Sequence, residues 1–148
     1  MKVLSLLQPW ASLVISGAKK FEVRSWQTAY RGPLLIHASA RKPARREKLF
    51  FEKAAWFNQH LENMDWLNYG AIIGQVLLKD IFSTEWLLQN WEHQSINNWQ
   101  QELAFDDYSA RRFAWKLEQP IPLLYPLPLK GTLGLWNYEG SFTLAPIE

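Results

Sequence analysis

The stretch SGAKKFEVRSW, residues 16–26, decides how this chain of 148 residues reads. Upstream of it, LQPWASLVI (7–15) carries Trp10, Leu13 and Val14 at helical spacing. Pro9 suits the first turn of a helix, where a missing N–H costs nothing, and Gly17 suits a left-handed C-cap. The pattern predicts about two turns of helix over 9–16. Beyond Gly17 the period changes to two. Phe21 and Val23 point one way, and Glu22, Arg24 and Trp26 point the other. With the apolar pair in a core, the opposite strand face carries an acid, a cation and an indole, with Lys19 and Lys20 at the junction.

The surrounding segments follow the same logic. KVLSLL (2–7) and PLLIHAS (33–39) suit strands, the second with Leu34 and Ile36 on one face and Leu35, His37 and Ser39 on the other. Residues 41–64, opened by Pro43 and striped with Leu49, Phe50, Ala54, Phe57 and Leu61, read as one amphipathic helix. GAIIGQVLLKDIF (70–82) reads as a strand whose two glycines mark a bend or a close backbone approach. STEWLLQNWEH (83–93) opens with a Ser83 or Thr84 cap and reads as a short helix. Residues 94–109 are either helix or loop. RFAWKLE (112–118) alternates like a strand. Prolines 120, 122, 126 and 128 confine their own segment to an edge or an extended crossing. GLWNY (134–138) supplies a last strand. Short strands dispersed among short helices, without βαβ regularity or an internal repeat, predict an α+β fold. The expected form is a small mixed β-barrel decorated by short helices, a single domain over 1–148.

The chain has no cysteine, which excludes disulfides, thiolate metal sites and cysteine nucleophiles. His37, His60 and His93 have no metal-ligand spacing, so no metal is expected, and no cofactor motif is present. No apolar run approaches the roughly 20 residues that span a bilayer. MKVLSLLQPW is too soon interrupted to be a signal peptide. A cytoplasmic protein with no membrane partner is expected. The net charge of +2 hides an asymmetry. Residues 1–50 hold ten Lys or Arg and two acids, whereas residues 51–148 hold six Lys or Arg and twelve acids. A basic face attracts polyanions with an affinity that falls as salt rises. The acidic half is a candidate docking surface for a protein. Of the nine tryptophans, most are expected to fill a core, Trp56, Trp115 and Trp136 among them. Any on the basic face would serve as base-stacking platforms.

LQPWASLVISGAKKFEVRSW resembles the start of ASCH domains, members of the PUA-like superfamily. The family signature Gly-x-Lys-x-x-Glu-x-Arg stands here as Gly17, Lys19, Glu22 and Arg24. YRGPLLIHASARKP (30–43) and PLKGTLGLW (128–136) are similar to later family segments, and the QPWAS opening is that of the coactivator-type branch. The resemblance implies a PUA-like barrel with a cleft beside the signature strand. It also implies binding of RNA, another nucleic acid or a nucleotide. Some small members hydrolyse N4-acetylcytidine with a lysine at the position of Lys19 and a threonine where this chain has Glu22. A hydrolase of that kind, with Lys19 and Glu22 as catalytic groups and a modified nucleoside as substrate, is the alternative reading. A coactivator-like adaptor is a third.

The residues themselves give these expectations a physical shape. Lys19 beside other cations, if partly buried, would lose basicity and become a nucleophile or base; alternatively Glu22 keeps it charged and the group holds an anion. Glu22 and Arg24 lie close enough to pair. Trp10 either packs in the helix core or lines the cleft as a stacking ring, and Trp26 shares the polar strand face. Arg41, Lys42 and Arg45 lie in a run of five cations at a helix start, where they oppose the macrodipole unless phosphates compensate. Lys130 adds a cation from the far strand. Lys19, Arg24, Trp26, Trp10, Arg41, Lys42, Arg45 and Lys130 are the expected nucleic-acid contacts.

Overall fold

The computed structural model describes residues 1–61 and 63–147. Six strands form one sheet: β1 (Lys2–Leu6), β2 (Phe21–Arg24), β3 (Gly32–Ala38), β4 (Ala71–Ser83), β5 (Phe113–Pro128) and β6 (Leu135–Asn137), in the order β2-β5-β4-β3-β1-β6. It curls into a half-barrel. Among the neighbours only β1 and β3 run parallel, with Val3 beside Leu35 and Ser5 beside His37. Five helices lie around it: α1 (Trp10–Ser16), α2 (Arg45–Lys53), α3 (Ala55–Asn58), α4 (Thr84–Asn90) and α5 (Trp99–Phe105). The α+β class and the helix-decorated curled sheet are therefore as expected. No helix among the described residues is long and apolar enough to cross a membrane.

Helix α1 is held at both ends as its sequence requires. Gly17 adopts φ 86° and its N–H donates to Val14 O. At the start, the buried Gln8 takes over the capping role: Oε1 accepts from Ser12 N at 3.0 Å while Nε2 donates to Ser12 Oγ and Asn68 O, each at 2.8 Å. Pro9, after a cis Gln8–Pro9 bond, precedes the first helical residue. Ser83 caps α4 by accepting from Trp86 N at 3.1 Å. Asn98 caps α5 in the same way through Gln101 N, so part of 94–109 is helix.

The expected continuous helix over 41–64 is corrected. It stops at Lys53, Ala54 is extended at ψ 125°, α3 comes next, and Met64–Trp66 forms a 3-10 turn; Glu62 lies outside the described residues. The physical reason is the second core, where Leu13, Phe51, Phe57, Leu61, Met64 and Phe105 pack together. Residues six apart on an α-helix are displaced by about 240°, so Phe51 and Phe57 would face apart. The break at Ala54 turns them together, with ring centroids 4.8 Å apart.

Strand parity in β3 is as read, yet both faces are covered. Leu34, Ile36 and Ala38 join the core beneath α1 with Leu4, Leu6, Val76 and Trp115. Leu35 instead packs with Val3, Ile72, Leu123, Trp136 and the chain after β6. His37 is consequently buried rather than solvent-facing. Of the three tryptophans expected in the core, Trp115 is fully buried, whereas Trp56 and Trp136 are half-buried. The proline-rich half of β5 pairs with β4 alone in the sheet, while β2 meets only residues 113–116. Its free edge is met by the tail, with Leu124 N donating to Thr143 O and Ala145 N to Pro122 O, each at 2.8 Å. Gly74 is the close approach: a Cβ there would stand 2.8 Å from Ile121 O.

Candidate functional site

Strand β2 is an edge of the sheet, and the residues around α5 close it. Glu102 Oε1 accepts from Lys20 N, and Asp106 Oδ2 accepts from Val23 N at 2.8 Å. Side-chain carboxylates thus satisfy backbone donors that an edge strand leaves open. The same Asp106 Oδ2 lies 2.7 Å from Lys19 Nζ, and Glu22 Oε1 lies 2.8 Å from it on another side. Phe21 O accepts the third ammonium proton. Lys19 is 1% exposed, with all three donors used.

Of the two alternatives for Lys19, a less basic amine or one kept charged by Glu22, the arrangement agrees with the second. Burial does push its pKa down, but the charges of Glu22 and Asp106 and their hydrogen bonds outweigh burial, and the ammonium is held above its ordinary range. Lys19 ties the α1–β2 turn to the end of α5 through Asp106. Glu22 faces two cations: its second oxygen, Oε2, is 3.3 Å from Arg24 Nη1.

Arg24 also donates to Ser5 O at 3.4 Å, and its buried Nε has no protein partner. Its guanidinium carbon stands 5.5 Å from the centroid of Trp26, over that ring. Trp26 in turn meets Trp115 edge-on at 4.9 Å, so it is packed on the core and supports Arg24 from behind. Trp10 packs edge-on against Phe51 at 5.2 Å and donates through Nε1 to Phe105 O at 2.7 Å. It also lines a hollow of about 200 Å³ with Leu6, Leu7, Glu22, Arg24 and Asp106.

Ser5, whose carbonyl accepts from Arg24, lines a second concavity of about 440 Å³ with His37, Ser39, Lys130 and Gly131. Ser5 Oγ donates to Thr132 O at 2.7 Å and accepts from Trp136 Nε1 at 2.9 Å, while its carbonyl takes Arg24. His37 Nε2 lies 2.7 Å from Leu129 O. A Cβ on Gly131 would meet the His37 ring at 2.4 Å, so glycine is required for this loop to lie on the imidazole. Lys130 is exposed at the rim. Ala40 lines the same concavity, and the exposed Arg41 and Lys42 come directly after it, the latter 5.8 Å from the Tyr69 ring centroid. Arg45 is exposed on the first turn of α2, where Glu47 accepts from Ala44 N and lies 3.5 Å from Arg41. Glu47 offsets the basic run there.

The structure thus brings Lys19, Glu22, Arg24 and Trp10 together and sets Trp26 behind them, whereas Lys130 lines a separate concavity and Arg41 and Lys42 follow Ala40 out of it. Asp106 and Glu102 were not singled out in the sequence. Their signal is the pair of acids four apart in ELAFDDY (102–108), one helical turn that brings both carboxylates to the same strand. Glu102 is buried with Oε2 unpartnered, and burial raises its pKa to about 7 despite the Lys20 N–H and nearby lysines. The buried hydroxyl of Tyr108 is likewise unpartnered, and burial, reinforced by Glu102, raises its pKa.

A signature turn clasped onto an edge strand, a hollow beside it and a curled mixed sheet define a PUA-like domain of one particular kind. The chain belongs to the ASCH domain family, whose sequence profile matches residues 4–125. It is 30% identical over 141 residues to activating signal cointegrator 1 of Homo sapiens, and 29% identical to that of Mus musculus. Each alignment covers 93% of this chain but 22% of the relative, so the chain spans about a fifth of the length of these curated relatives. The crystal structure of an ASCH protein from Zymomonas mobilis, in a serine-to-alanine mutant form, superposes with a TM-score of 0.54 at 16% identity, covering 93% of this chain and 87% of that one. A second structure of that protein gives 0.50 at 18% identity, covering 86% and 73%. Those two likenesses speak for the fold.

Proposed function

We propose that the Trp10–Arg24 hollow and the His37–Lys130 concavity, linked by the Arg24–Ser5 hydrogen bond, together bind single-stranded RNA, in the cytoplasm. The observation that carries this reading is Arg24. It is a partly exposed guanidinium, braced on Trp26 and lining the same hollow as the Trp10 ring, where a base stacks and a phosphate pairs. Arg41, Lys42, Arg45 and Lys130 track the backbone beyond it. Glu22 lines the hollow and holds Arg24, and Lys19 holds Glu22 in turn rather than touching solvent-side phosphates. The unit takes in the whole chain, because β6 pairs with β1 and Leu144 bridges to Leu123 beyond the matched residues. Hydrolysis of an acylated nucleoside draws less support, since an ammonium kept charged by two carboxylates is no nucleophile.

Fluorescence anisotropy with a labelled single-stranded RNA tests the proposal. Arg24→Gln and Lys130→Gln each weaken binding about tenfold, or about 1.4 kcal/mol, and log affinity falls linearly with log salt. Affinity that ignores both substitutions and salt would refute it.

A second reading has its own observation. On and just after α4, Trp86, Leu88 and Trp91 are exposed beside Glu85 and Glu92. These exposed apolar side chains in the acidic half suit a basic protein segment, in keeping with a relative named as a cointegrator. Capture of a basic peptide that survives Arg24→Gln but is lost in Trp86→Ser with Leu88→Ser supports it.

A further inference from the structure

Helix α2 leaves most of its apolar side chains outside the core. Leu49, Phe50 and Phe51 follow one another, yet of the three only Phe51 is buried; Leu49 is 45% exposed and Phe50 59%. Phe51 anchors the helix in the second core, and the Phe50 ring stands 5.4 Å from it and 6.1 Å from Phe57, centroid to centroid. Arg46, Leu49, Phe50 and Lys53 stand at i, i+3, i+4 and i+7, one face of a helix. With Ala54, where the helix breaks, they line a hollow of about 430 Å³.

The positive charge of this face survives a full count. Residues 41–65 hold six Lys or Arg against four acids, Glu62 included. Glu47 is turned to Ala44 N and Arg41, Glu52 to Met64 N, and Asp65 to Lys48. Among the described residues no carboxylate lies within ion-pair distance of Arg46 or Lys53, both exposed. At about 100° per residue, those two cations fall between Leu49 and Phe50 around the helix axis. A helix lying on a lipid surface keeps its cations on the face opposite its apolar stripe. Here they stand within the stripe, and the stripe borders a hollow. Nor does the aliphatic Leu49 offer a nucleobase a ring on which to stack. Apolar side chains interleaved with unpaired cations match an amphipathic protein segment that mixes aliphatic and acidic side chains.

We infer that this face of α2 docks an acidic segment of a partner protein, with a bulky apolar side chain in the hollow and carboxylates on Arg46 and Lys53. None of these residues belongs to the proposed RNA contacts, so the two sites stand or fall separately.

A labelled peptide of glutamates with leucines at helical spacing, titrated into the full chain and followed by anisotropy and methyl NMR, tests it. Saturable binding with shifts of the Leu49 methyls is expected. Arg46→Glu combined with Lys53→Glu weakens binding about tenfold, and Leu49→Ser also weakens it. All three positions are exposed, so the fold tolerates the changes. The charge-reversed variant instead binds the same peptide with lysines in place of the glutamates. Equal affinity for a peptide with glutamines in their place, affinity unmoved by the reversal, or no binding at millimolar peptide would overturn the inference. So would Leu49 shifts produced more strongly by single-stranded RNA or by phosphatidylserine vesicles. Self-association of the free chain that the reversal abolishes would also overturn it, by giving this face to a second copy.

Discussion

Lys19 Nζ and Asp106 Oδ2 lie 2.7 Å apart although 87 residues separate them, and the same oxygen accepts from Val23 N. One carboxylate therefore neutralises a buried ammonium and closes the edge of β2. Removing one member of such a buried pair leaves the other uncompensated, which costs about 3–5 kcal/mol. Lys19→Ala and Asp106→Asn are each expected to fall in that range by urea denaturation. Because they share the interaction, the double substitution costs less than the sum. Strict additivity would show that the two groups act independently.

Glu102 gives the protein a pH dependence of known sign. Its folded pKa, about 7, lies above the ordinary value of 4.5, so the native state holds a proton that the unfolded state has released. This contribution is neutral below about pH 4.5. It turns increasingly destabilising as pH rises to about 7, reaching on the order of 3 kcal/mol. Glu102→Gln removes the titration, and stability measured from pH 5 to 8 loses that decline. An unaltered profile in the variant would place the decline elsewhere.

Gly74 marks where β4 passes closest to its neighbours. A Cβ there would lie 2.6 Å from Ile15 Cδ1 and 2.8 Å from Ile121 O, and the second of these is backbone. Gly74→Ala is expected to cost about 1–3 kcal/mol through forced shifts, read as a lower melting temperature. An unchanged melting temperature would mean that the β4–β5 pairing has slack.

Much of this was legible in local pattern. Gly17 ended α1, the change to period two gave β2, and the prolines after residue 119 confined that half of β5 to an edge, because each of these is decided within a few residues. The features that stayed hidden depended on distant partners. Lys19 reads as a cleft lysine that either loses basicity or is kept charged by Glu22, and its second carboxylate, Asp106, stays out of sight until the fold brings it over. Residues 41–64 look like a single helix until Phe51 and Phe57 must reach one cluster. His37 sits at the parity expected of a polar face, yet the chain around Leu129 and Gly131 folds over it. Asp106 and Glu102 lay in the segment whose helix or loop character the sequence left open.

The Trp10 hollow and the Lys130 concavity are together the centre of the proposed function, and NMR mapping with a short single-stranded RNA at low salt addresses them directly. The Trp10 indole N–H and the amides of Ser5, Arg24, Gly131 and Thr132 are expected to shift together and saturate together. If those signals stay fixed while shifts gather on Trp86 and Leu88, or if none move, RNA does not occupy these concavities.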